Sequence, residues 1–346
     1  MKKIVVAPDS FKGSLTSAEV ADAVERGIKD VFPQCNVVKA GVADGGEGTV
    51  EAIVKAVGGA MYAASVTDPL GRPIKAAYGI VRSGGVKTAV MEMSAASGLP
   101  LLLPDELNPW ITSTYGTGEM ISDALNRGCR KFLVGIGGSA TNDAGTGMLS
   151  ALGVRFLDSR GQRLKGCGRD LESIARIDMS SLMPAARESE FIVACDVNTP
   201  FCGPDGAARV FAPQKGADPQ TAEALDRGMR SFARVIAGQF QTDIVPLSGA
   251  GAAGGLGGAF KAFLNARLTA GIEMVLDAIA FDSLLEGASL VITGEGRIDA
   301  QTAAGKTAAG VLRHAARKGI PVIAIGGSVA MCGSLKRWDL SAYIPS

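Results

Sequence analysis

The sequence predicts an α/β protein. We read two α/β domains, one a Rossmann- or flavodoxin-like parallel sheet, with the second inserted in it. Three observations lead there. Short apolar runs recur along the chain, each followed by a polar or Gly-rich loop and often by a stretch of helical periodicity, the order of a βα unit. The first and last of these runs look alike, which pairs the two ends in one sheet and leaves the middle to a second domain. The length of 346 residues corresponds to about two domains at roughly 150 residues each.

The elements follow in order. Residues 4–7 (Ile4, Val5, Val6, Ala7) read as a buried strand and residues 8–14 as a loop. Thr16 and Glu19 form a capping box. The helix behind it carries Val20, Val24, Ile28 and Val31 on one face and stops at Pro33. A strand at 36–40 and a loop at 43–48 lead to a helix ending near Gly58 and Gly59. Further strands are expected at 88–93, 131–135, 190–195, 289–293 and 321–325. Helices are expected at 119–126, shortly after Gly138, from Asp218 (N-cap) and Pro219, and from about Lys306. Residues 156–164, with a turn at 158–161, read as a hairpin. The expected domains are 1–64 with 286–346, and 65–285, with the active site in the cleft between them.

Composition narrows the function. Lys plus Arg number 35 and Asp plus Glu 34, a net charge of +1, which predicts neither a nucleic-acid partner nor attraction to an anionic membrane. No run approaches the ~18 apolar residues of a membrane span, and the apolar run after Met1 is too short for a signal peptide. The six cysteines show neither zinc nor disulfide spacing and read as reduced thiols, so a cytoplasmic location is expected. The single histidine, His314, rules out zinc sites built on two or three histidines. It reads as an exposed residue on a basic helix, which leaves Asp, Glu or Lys as the general base.

The loops after the strands carry the chemistry, because ligands of α/β sheets bind beyond the strands' carboxyl ends. Gly135, Gly137 and Ala140 fit G-x-G-x-x-A, with Asp158 about where a ribose-binding acid would stand, and Gly249, Gly251 and Gly254 fit G-x-G-x-x-G. The first supports a dinucleotide site, phosphate binding or mere close packing; no clear strand follows the helix of the second within a short βαβ unit, which leaves it an anion site or close packing. Asn142 and Asp143 suit a metal-bound phosphate better than a bare pyrophosphate. Gly305, Lys306 and Thr307 look like the tail of a P-loop, but Ala300 stands where its first Gly belongs. Acids recur in the loops: Asp9, Asp44, Glu47, Asp143, Asp196, Glu295 and Asp299. With Lys12, Lys215, Arg297 and Lys306 among them, they point to Mg²⁺ with a nucleotide and an anionic substrate.

At these residues the chain resembles the bacterial glycerate kinase family, type 1. The matching stretches are Ala7-Pro8-Asp9-Ser10-Phe11-Lys12-Gly13-Ser14-Leu15, Ala43-Asp44-Gly45-Gly46-Glu47-Gly48-Thr49, Tyr115-Gly116-Thr117-Gly118-Glu119 and Gly135 to Asp143. They continue with Ala194-Cys195-Asp196-Val197, Pro213-Gln214-Lys215-Gly216, Gly249 to Gly257 and Ile292 to Arg297. The resemblance implies an ATP-dependent kinase that makes 2-phospho-D-glycerate from D-glycerate, built from two α/β domains. Two departures stand out. The family usually continues beyond Ser346 into a helical segment, so truncation is an expectation here, with consequences for homodimer contacts. The family also usually has His where Ala304 stands.

The expected roles are these. Asp196 is the base, with Lys12 and Asp9 also catalytic. Ser10, Lys215 and Arg297 bind substrate. Gly137, Gly138, Ser139, Asn142, Gly251, Gly254 and Lys306 bind the nucleotide. Asp44 and Glu47, then Asp143, hold Mg²⁺. The competing readings are an NAD-linked oxidoreductase and a non-catalytic anion-binding module.

Overall fold

A computed structural model describes residues 2–11, 13–299, 307–330 and 342–345. It divides the chain into two compact units, Met1–Gly58 with Ala270–Ser346, and Gly59–Thr269.

The first unit is built on five parallel strands: β1 (Lys3–Pro8), β2 (Asn36–Lys39), β11 (Leu290–Ile298), β12 (Val322–Val329) and β13 (Ala342–Pro345), in the order β13-β12-β11-β1-β2. The two ends of the chain meet where β1 pairs with β11, Ile4 opposite Leu290 and Pro8 opposite Gly294. The connection from β1 runs outward to β2 and that from β11 runs the other way to β12. The crevice between β1 and β11 is therefore the topological switch point, where ligands of open α/β sheets bind.

Local chemistry explains the flanking helices. Thr16 caps the helix Ser17–Val31, its hydroxyl accepting from Glu19 N while the Glu19 carboxylate accepts from Thr16 N at 2.8 Å. The small core of the unit sets Ile4, Val6, Leu290 and Ile292 against Ala21 and Cys35.

The second unit carries a six-stranded mixed sheet. Its strands are β3 (Ala60–Thr67), β4 (Pro73–Ser83), β5 (Val86–Glu92), β6 (Lys131–Gly135), β9 (Glu190–Ala194) and β10 (Arg267–Thr269), in the order β10-β9-β6-β5-β4-β3. From β5 to β10 the sheet is parallel, and Glu92, Gly135 and Ala194 lie in register, so the loops beyond them leave from one edge. The core below that edge stacks Phe132 on Phe191 at 4.7 Å and tilts Phe260 against Phe191 at 5.8 Å. The helix Pro219–Phe240 opens as expected, with Asp218 Oδ1 accepting from Thr221 N at 2.7 Å.

The α/β class stands as predicted, and several details differ. The strands β3 and β4, which make an antiparallel meander with the expected strand β5, went unread; Ala60–Thr67 buries only Ala64 and Val66 and leaves the start of its apolar run exposed. It moves the unit boundary: β3 pairs along its length with β4, so the division falls at 58/59 rather than 64/65. The other boundary falls at 269/270 rather than 285/286, since the helix Gly271–Ala278 packs on the helix Thr49–Val57. Residues 156–164 are not a full hairpin. Asp158 N donates to Gln162 O and Leu164 N to Phe156 O across a tight turn with a single bridge from Leu157 to Arg163, while β7 (Arg155–Leu157) pairs along its length with β8 (Arg176–Asp178). β11 runs on to Ile298, which puts Glu295 and Arg297 on a strand rather than in a loop.

His314 is a further correction. It is buried, with Nδ1 2.8 Å from Asp282 Oδ1 and Nε2 3.0 Å from Glu273 Oε2. Its helix, Thr307–Arg317, turns this residue inward onto Phe281, and two acids supply the partners that burial demands.

Candidate active site

In the first unit the loop acids gather at the carboxyl end of the sheet. Asp9 follows β1, is nearly buried, and has both oxygens engaged. Oδ1 accepts from Ser10 N at 2.6 Å and Oδ2 from Thr307 Oγ1 at 2.6 Å. Asp44 and Glu47 lie in the loop after β2, Asp44 half-buried with Oδ1 accepting from Gly46 N at 3.1 Å, Glu47 exposed. Arg297 is exposed on β11, its Nε 3.1 Å from Asp299 Oδ2. The structure thus brings Asp9, Ser10, Asp44, Glu47 and Arg297 to one sheet edge, with Asp9 and Ser10 beside the switch point. Lys12, Lys306 and Ala304 lie outside the described residues.

In the second unit Gly137, Gly138, Ser139, Asn142 and Asp143 lie in the loop after β6. Gly137 and Gly138 form its exposed tip, and their N–H groups donate to no acceptor among the described residues. Such amides suit a phosphate oxygen. Behind the tip the loop is buried. Thr141 Oγ1 and Asn142 Oδ1 are enclosed and find no hydrogen-bond partner among the described residues.

Asp143 is fully enclosed. Its carboxylate accepts from Thr114 N and Thr114 Oγ1, each at 2.7 Å, from Gly145 N at 3.0 Å and from Gly147 N at 3.2 Å. Burial pushes its pKa up, and these four donors pull against that rise. Both oxygens are committed to shaping the loop, so Asp143 does not fit the direct metal contact expected of it. Among the described residues no group of three or more His, Cys, Asp or Glu is placed to hold a metal ion.

Lys215, expected at the substrate, is hidden from solvent. Its Nζ donates to Ser139 Oγ at 2.7 Å and to Thr141 O at 2.6 Å. Asp196 lies two residues beyond the end of the buried strand β9 and is itself exposed.

The two Gly fingerprints serve other ends than a dinucleotide. After Gly135 to Ala140 the helix does not open until Thr146, and Asp158 caps its own turn by accepting from Arg160 N and Gln162 N. Gly251 and Gly254 are buried in the backbone of neighbouring loops. A Cβ on Gly254 would stand 2.2 Å from Thr141 O, and its φ of +67° is one that side chains resist. Ala144 N donates to Gly254 O at 2.9 Å, so this segment backs the loop after β6.

Sequence reading missed the hydroxyl residues that set these loops. Thr114 fixes Asp143 and also accepts from Met148 N at 2.9 Å, and Thr307 holds Asp9. The cluster Thr112-Ser113-Thr114 just before Tyr115 was the available signal. The motif Tyr115 to Glu119 has a packing role: Glu119 Oε2 accepts from both Thr67 N and Thr67 Oγ1, and Gly116 passes against Thr67 O.

Comparison with known proteins places these features in context. The model of the glycerate kinase family matches residues 4–344. The chain is 48% identical to a glycerate kinase of Bacillus subtilis (strain 168) over 328 residues, covering 95% of this chain and 85% of that one. It is 46% identical to the glycerate 2-kinase of Escherichia coli (strain K12), covering 94% and 85%. A crystal structure from Salmonella typhimurium LT2 that carries the glycerate kinase 2 designation superposes with a TM-score of 0.92 at 46% identity, covering 99% of this chain and 90% of the other.

Proposed function

The chain belongs to the glycerate kinase family, and from that premise we propose that it transfers the γ-phosphoryl group of ATP to D-glycerate, giving 2-phospho-D-glycerate. The observation that carries this reading is the match, over almost the whole chain, to a glycerate 2-kinase at 46% identity. The geometry supports it. The exposed Gly137–Gly138 tip, whose amides donate to no acceptor among the described residues, offers donors to a polyphosphate. Gly254 acts on the nucleotide through this loop rather than by contact, and Gly251 packs instead on Thr199 and Pro200.

Phosphoryl transfer asks the protein mainly for position and charge. Asp196 is our candidate to accept the glycerate hydroxyl proton, with Asp9 next. Ser10, Lys12 and Arg297 are our candidates for the substrate's carboxylate and hydroxyls, and Lys306 for a phosphate. Mg²⁺ bound with the nucleotide would neutralise phosphate charge. A magnesium ion on phosphates needs only one or two protein carboxylates. The half-buried Asp44 and the exposed Glu47, both in the loop after β2, fit that need.

No helix among the described residues is long and apolar enough to cross a membrane. We place the enzyme in the cytoplasm, as a homodimer that binds no nucleic acid.

The test is product analysis by ³¹P and ¹H NMR with D-glycerate and ATP-Mg. The expected product carries phosphate on the 2-oxygen, and turnover stops with EDTA and returns with Mg²⁺. Phosphate on the 3-oxygen, or no ATP-dependent product, overturns the assignment; full turnover in metal-free buffer overturns the Mg²⁺ part.

A further inference from the structure

Lys215 ends the short turn Pro213–Lys215, which is itself anchored. Lys215 N donates to Ala212 O, Gly216 N to Pro213 O, and Asp218 caps the long helix just beyond. From this base the side chain reaches into the loop after β6. It bonds Ser139 Oγ and Thr141 O, two groups immediately behind the Gly137–Gly138 tip. A lysine that touches a ligand needs an open face, and this one is 1% exposed.

We propose that Lys215 is a positioning residue: a buried strut that holds the loop 136–141 in its phosphate-receiving shape without touching the ligand. The proposal rests on the reading of that loop as the nucleotide-phosphate site. The chemistry of the amine agrees with it. Burial pulls the Lys215 pKa down to about 7, against the opposing pull of Asp143. A neutral amine keeps two N–H groups, enough for two acceptors, so the strut does not depend on charge. A lysine neutralising phosphate would depend on it.

The experiment uses the full chain as unmodified protein and as Lys215→Met, Ser139→Ala and the double variant. Hydrogen exchange is read by mass spectrometry, alongside thermal midpoints and steady-state kinetics with ATP-Mg and D-glycerate. In Lys215→Met, the Ala140 amide, which donates to Ser97 O behind the already unprotected Gly137–Gly138 tip, exchanges about tenfold faster or more, while β6 (Lys131–Gly135) stays protected. The KM for ATP rises about threefold or more and the KM for glycerate stays within about twofold. The double variant is no worse than Lys215→Met alone, because both changes cut the same strut.

A raised ATP KM with unchanged exchange at Ala140 overturns the proposal in favour of direct contact. Faster exchange throughout the unit with normal kinetics of the folded fraction overturns it in favour of a general packing role. Should Lys215→Met fail to fold, Ser139→Ala cuts one of the two bonds from the loop side, and the same local rise in exchange is required of it. If the unmodified protein makes no phosphoglycerate, the kinase reading falls, while the exchange pattern still decides the strut.

Discussion

The Thr307 hydroxyl donates to Asp9 Oδ2 at 2.6 Å, joining residues 298 positions apart in the chain. The bond ties the first loop of the sheet to the first turn of the helix between β11 and β12, across the switch point. It also leaves Asp9 oriented by two donors, since Ser10 N holds the other oxygen.

Asp9→Ala strands both donors. We expect a stability loss of about 1–3 kcal/mol, the cost of leaving buried partners unmet. Thr307→Ala should cost less, and the double variant should cost less than the two single losses added together. Urea unfolding of the three variants measures this. Strict additivity would mean that the bond contributes nothing in solution.

Asp196→Asn tests the base. The change keeps size and removes the basic oxygen. If Asp196 accepts the proton, kcat falls by about 10²–10⁴-fold with little change in the KM for ATP. A fall below about tenfold moves the base to Asp9 or Asp44. Because Asp196 is exposed, its variant should melt with the unmodified protein, which separates chemistry from stability.

His314 predicts a pH-dependent stability term. Burial works to lower its pKa, but the Glu273 and Asp282 carboxylates outweigh burial and hold it above the ordinary value. A raised folded pKa means that the stabilisation is fully present below the unfolded value of 6.5 and is lost as pH rises through the folded one. Unfolding free energies of the unmodified protein and His314→Gln should therefore differ most near pH 6 and converge at higher pH. A difference that grows from pH 6 to pH 9 would show that the histidine is held neutral.

Two glycines should respond in opposite directions to alanine. Gly254→Ala places a methyl against Thr141 O on a left-handed backbone and should cost roughly 2–4 kcal/mol. Gly238 is exposed in the helix Pro219–Phe240 with nothing near its missing Cβ, so Gly238→Ala should gain about 0.5–1 kcal/mol. Thermal midpoints decide both, and a tolerated Gly254→Ala would mean that the loops can separate.

Sequence alone determined the α/β class, the capping box at Thr16 and Glu19, the helix start at Asp218, and the loops in which chemistry would lie. These follow from local periodicity and from side chains that bond their own neighbours, both written within a few residues. Only the tertiary structure decided which loop residues are open and which are enclosed. Asp196 and Lys215 both read as polar loop residues, yet one is exposed and the other hidden. Asp143 read as a metal ligand, and its oxygens are claimed by two donors of the distant Thr114 together with Gly145 N and Gly147 N of its own loop. His314 read as exposed, and Glu273 and Asp282 enclose it. The reason is common to all: a buried polar group is settled by the partners that other segments bring to it, and the one-dimensional pattern holds no record of those partners.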